Sequence, residues 1–139
     1  VALEGIRNAL KELARVPSRV SKVGAMEIEK MWRRSYMAGT DPYGNEWAAN
    51  RPSTIKKKGH DWVMVGGGKR GGQTLENTRA RALPGAGIAL RTDPVASYHM
   101  QPTANRPARR VLPAFGLPKT WRAKLRAIAE AEFSKAVRG

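Results

Sequence analysis

A chain of 139 residues with no cysteine and a formal net charge of +15 is the size of one ordinary domain, excludes disulfide support, and suits an intracellular product whose surface attracts nucleic acid or acidic protein. Its 41% hydrophobic content is enough for a core, but 14 glycines and 9 prolines predict a modest core with long loops. No apolar run approaches the ~18 residues that span a bilayer, and the first residues do not read as a signal segment; the expectation is a soluble protein made in the cytoplasm, with no membrane partner.

Leu3, Ile6, Leu10 and Leu13 recur at helical spacing with charged residues between them, which predicts an opening amphipathic helix ended by Pro17. Ser18 can cap a second helix through Val20, Val23, Met31 and Trp32 to about Met37, with Gly39 as its stop. Asp41-Pro42-Tyr43-Gly44-Asn45-Glu46-Trp47 then reads as a tight reversal pinned by an aromatic anchor. Pro52 to Lys58 is a short helix ended by Gly59, and Trp62 to Val65 a short strand. Five glycines in the seven residues 66–72 describe a flexible loop with a basic tip, Lys69-Arg70.

Leu75 to Ala82 and Gly87 to Arg91, on either side of Pro84-Gly85, read as two strands joined by a turn. A helical turn is expected over Pro94 to Met100, and Arg110-Val111-Leu112 as a strand returning to the sheet. After Gly116-Leu117-Pro118, Trp121, Leu125, Ile128, Glu132 or Phe133, and Ala136 or Val137 trace one face of a terminal helix. Helices, small sheet, helix: this order predicts a single α+β domain over residues 1–139, with N-terminal helices and a C-terminal helix packed on a small antiparallel or mixed sheet.

Chemistry is sparse. His60 and His99 do not stand at metal-ligand spacing, and cysteine ligands do not exist. Ser53, Ser97 and Ser134 have no nucleophile-elbow context, and the eleven carboxylates form no motif for acid–base work. The glycine-rich loop lacks the Gly-Lys-Ser/Thr ending and the following helix of a phosphate loop. The reading is therefore a non-enzyme without cofactor or metal. Basic residues are plentiful, at Lys56, Lys57, Lys58, Lys69, Arg70, Arg106, Arg109 and Arg110, and these are the candidates for facing DNA or a partner subunit. No helix-turn-helix, zinc-finger or RNA-stacking signature accompanies them, so DNA contact is expected to be non-specific, and the four tryptophans are expected to be core anchors or interface plugs.

The order of Asp41-Pro42-x-Gly44-x-x-Trp47, Thr54-x-Lys56-Lys57-Lys58, a small sheet, an aromatic turn at Tyr98-His99, Arg109-x-x-Leu112 and a terminal helix resembles the virion-morphogenesis and tail-completion proteins of Mu-like and P2-like long-tailed bacteriophages. The resemblance covers most of residues 26–137. Thr74-Leu75-Glu76-Asn77 blurs the family's Gly-x-Leu entry to the sheet, and Gln101-Pro102-Thr103 replaces a glycine after the aromatic turn; both departures bear on loop geometry. The resemblance implies a structural subunit at the head–tail junction, a tail-completion or terminator ring that is a homo-oligomer, hexameric by expectation. It would meet head-connector and tail-tube proteins, contact channel DNA non-specifically, and be assembled in the host cytoplasm. A small non-specific DNA-binding accessory protein is the alternative.

Overall fold

The computed structural model describes residues 2–59, 61, 73–93, 96, 99–104 and 107–138. The expected strand at 62–65 and the glycine-rich loop at 66–72 lie outside them, as do Ser97 and Tyr98 of the expected turn. Helix α1 runs Ala2–Met37, α2 Pro52–Lys58 and α3 Gln73–Glu76; strands β1, Arg79–Ala82, and β2, Ile88–Arg91, form a two-stranded antiparallel hairpin; α4, Lys119–Arg138, closes the chain. The class is α+β. By packing, the chain divides into two compact units, one of residues 1–28, 80–89 and 119–139, the other of residues 29–79 and 90–118.

Pro17 does not divide the first helix. It lies inside α1 with its ring exposed, and it withholds the N–H that the Leu13 carbonyl would otherwise accept. The Pro17 carbonyl is held from the other direction by the Ser21 hydroxyl at 2.8 Å. At the far end Gly39 stops the helix as expected: with φ +76 it lets its own N–H reach the Tyr36 carbonyl at 3.1 Å and that of Thr40 reach Ser35 at 3.0 Å, the paired closure that a left-handed C-terminal residue permits.

In the first unit, α1 meets the hairpin and α4. The buried Ser21 hydroxyl also accepts the Gly87 N–H at 2.8 Å. Gly24 gives the helices close approach, since a Cβ there would stand 2.6 Å from Leu125 Cδ2 and 3.1 Å from Ile88 Cδ1. On α4 the buried face is Trp121, Ile128, Glu132 and Ala136, while Phe133 and Val137 are exposed.

The second unit is built on the last quarter of α1, where Trp32 and Tyr36 are buried one turn apart. Leu75 and Glu76, expected in a strand, instead belong to α3, and the hairpin is shorter than expected. The Leu83 N–H to Gly87 carbonyl bond at 2.9 Å closes it and places Arg79 across from Arg91. Residues 110–112 do not form a third strand; tryptophan side chains take up two of their carbonyls instead.

Candidate functional site

The segments Asp41–Trp47 and Arg109–Leu112 meet in the second unit. Thr40 and Glu46 bridge, and the Trp47 N–H returns to the Gly39 carbonyl at 2.8 Å, so residues 39–47 form a small hairpin. Asp41 is its centre. One carboxylate oxygen accepts the Tyr43 and Asn45 N–H groups, each at 2.9 Å, and the other accepts the Asn45 amide at 3.1 Å. The Asp41 carbonyl takes the Gly44 N–H at 3.0 Å, and Gly44 adopts φ +91, a conformation that glycine reaches without Cβ strain. A buried carboxylate that accepts three donors from the residues following it is the clasp that holds this turn.

That hairpin aims Trp47 inward. The indole is 9% exposed, stands edge-on to Tyr36 with centroids 5.0 Å apart, and donates its N–H to the Arg110 carbonyl at 3.0 Å. Trp32 does the same to the next carbonyl, Val111, at 2.8 Å. The indole thus packs on α1 through Tyr36, as the aromatic anchor of the reversal. The tyrosine of the turn adds a further tie: the Tyr43 hydroxyl donates to the Gly116 carbonyl and accepts the Phe115 N–H at 2.8 Å.

Arg109 faces back onto the chain leaving the hairpin. Its Nε donates to the Ala48 carbonyl and a terminal guanidinium nitrogen to the Ala49 carbonyl, both at 3.0 Å, while its own N–H donates to His99 at 2.6 Å. Desolvation lowers the guanidinium pKa from its ordinary value, and the two carbonyls offset that cost by solvating the cation in place of water. Arg110 lies 4.9 Å over the Phe115 ring. Lys56 and Lys57 project from α2 into solvent; the α2 backbone at Lys58 is helical and capped by Gly59 at φ +78. Lys69, Arg70 and Arg106 lie outside the described residues.

Of the sequence candidates, Asp41, Pro42, Gly44, Trp47, Arg109 and Arg110 are brought into one cluster, and Lys56 and Lys57 remain apart as a solvated basic face. Sequence reading missed Tyr43 as a two-way hydrogen-bonding residue and Trp32 as the second staple; for both, an isolated aromatic beside a turn or helix end was the available signal. It also missed an open polar groove of about 460 Å³ lined by Glu76, Asn77, Arg79, Arg91, Thr92 and Asp93, for which no local pattern exists because hairpin pairing assembles it. Among the described residues no group of three or more histidines or acids could hold a metal ion, and no helix is long and apolar enough to cross a membrane. No protein-family model, curated protein or solved structure matches the chain significantly.

Proposed function

We propose that the protein is a structural subunit of the head–tail junction of a long-tailed bacteriophage, a tail-completion or terminator ring component that joins the tail to the DNA-filled head. The observation that supports this reading most is the meeting of the Asp41–Trp47 motif with the Arg109–Leu112 motif. Two segments with family-like spacing, some sixty residues apart, share the Trp47–Arg110 hydrogen bond and the Arg109 clamp on Ala48 and Ala49. Their polar groups are spent on one another, which suits a rigid building block. The +15 charge then serves contact with channel DNA or with acidic faces of neighbouring rings.

Interrupting the gene is the test. Micrographs of the resulting lysate should show DNA-filled heads without tails beside unattached tails, with major head and tail proteins made normally. Infectious, normally joined particles would refute the connector role. The exposed Lys56 and Lys57 favour a second reading, a non-specific DNA-binding accessory protein; it requires the isolated protomer to bind DNA with an affinity that falls steeply with salt.

A further inference from the structure

Every described side chain from Leu3 to Lys11 is exposed, and partial burial begins only at Glu12 and Leu13. Glu27 of α1 lies 3.9 Å from Lys124, and Gly24 adjoins Leu125. Both contacts lie beyond residue 23 of α1, and its first turns are left uncovered among the described residues. Those turns carry an apolar stripe, Leu3 at 81% exposure, Ile6 at 57% and Leu10 at 61%, at the three- and four-residue spacing that forms one helix ridge. On the outer side of α4 stand Phe133 at 55% and Val137 at 59%, again one turn apart. Exposed apolar ridges of this kind mark interaction surfaces.

We infer that these ridges are the two halves of one contact between copies of this chain: the projecting start of α1 in one protomer packs against Phe133 and Val137 of the next. The inference rests on the reading of the protein as a self-assembling ring subunit, because a ring needs two different, mutually complementary patches on each protomer. Charge selects the occupant. Residues 2–16 hold Arg7, Lys11 and Arg15 against Glu4 and Glu12, and residues 129–138 hold Lys135 and Arg138 against Glu130 and Glu132. In a chain of net charge +15 these two stretches are nearly neutral, so copies meeting there avoid the repulsion that the rest of the surface imposes. An acidic protein or an anionic lipid surface would instead be drawn to the more basic faces.

The test is sedimentation and native mass spectrometry of the full chain, with Leu10→Glu to spoil the α1 ridge and Phe133→Glu to spoil the α4 ridge. Both positions are exposed, and circular dichroism should show both variants helical. Each variant alone should associate roughly tenfold or more weakly than wild type. An equimolar mixture, in which one intact ridge of each kind survives, should recover a one-to-one heterodimer that goes no further. Wild-type-like association of both variants overturns this contact while leaving a ring built through other surfaces. A wild-type chain that stays monomeric at high concentration, or that binds anionic vesicles through Leu10 without self-associating, also overturns it. The gene-interruption experiment then judges the virion role separately.

Discussion

The indole N–H of Trp47 donates to the main-chain carbonyl of Arg110 at 3.0 Å, across a sequence separation of 63 residues. Through it the reversal at 41–47 fixes a segment that has no strand partner among the described residues, and Trp32 repeats the device one residue on, at Val111. Removing the ring should therefore cost packing and leave a carbonyl without its donor. Trp47→Ala is expected to destabilise the second unit by about 3 kcal/mol or more. Trp47→Phe, which keeps the contact with Tyr36 and loses only the N–H, should cost about 1–2 kcal/mol. Urea denaturation of the two variants checks the order, and a phenylalanine variant as unstable as the alanine one would show that the hydrogen bond, and not the ring, dominates.

Asp41 holds its turn by accepting the N–H groups of Tyr43 and Asn45. Asp41→Ala should cost about 1–2 kcal/mol, in the range of losing a helix-capping side chain. Hydrogen exchange at the Tyr43 and Asn45 amides should accelerate before any change is seen in the first unit. Unchanged protection at those two amides would show that the main-chain bonds of the 39–47 hairpin suffice.

Arg109 bonds two successive carbonyls with one planar group, a geometry that the single ammonium of lysine does not reproduce. Arg109→Lys should cost about 0.5–1 kcal/mol, and Arg109→Glu more, because it sets a carboxylate against two carbonyl oxygens. Burial lowers the Arg109 pKa, so the unfolded chain holds this proton to higher pH than the folded one. The desolvation cost is thus fully present below the folded pKa and is relieved only as pH rises through it toward the unfolded value. Since a guanidinium remains charged across the working range, the stability lost in Arg109→Lys should be the same at pH 6 and pH 8. Thermal melts at both values decide this; a difference that varies with pH would point to a titrating neighbour.

Ser21 sits mid-helix, where alanine has the higher intrinsic propensity by a few tenths of a kcal/mol. Its hydroxyl nonetheless donates to Pro17 and accepts from Gly87. Ser21→Ala should therefore destabilise by about 1–2 kcal/mol, against the propensity trend, because the Gly87 N–H loses its acceptor. Pro17→Ala should act in the opposite direction and stabilise, since it restores a donor to the Leu13 carbonyl. Calorimetry on both variants, and on their combination, reads the signs directly; a stabilised Ser21→Ala would mean that water replaces the hydroxyl without loss.

Local chemistry in the sequence determined the α+β class, the stop at Gly39, the reversal at Asp41–Gly44, the short helix capped by Gly59 and the extent of the terminal helix, because each depends on a few adjacent residues: a glycine at positive φ, a proline at a helix start, an apolar period of 3.6. Tertiary structure decided the rest. Pro17 lies inside α1, where the Ser21 hydroxyl one turn on, held by Gly87, bonds its carbonyl. Residues 110–112 have no strand partner among the described residues, and two indoles, 79 and 63 residues away, bond the Val111 and Arg110 carbonyls. The apolar period of α4 admitted either Glu132 and Ala136 or Phe133 and Val137 as the inward face, and close packing buries the former pair. These outcomes turn on which side chains meet across long sequence separations, and no local propensity carries that information.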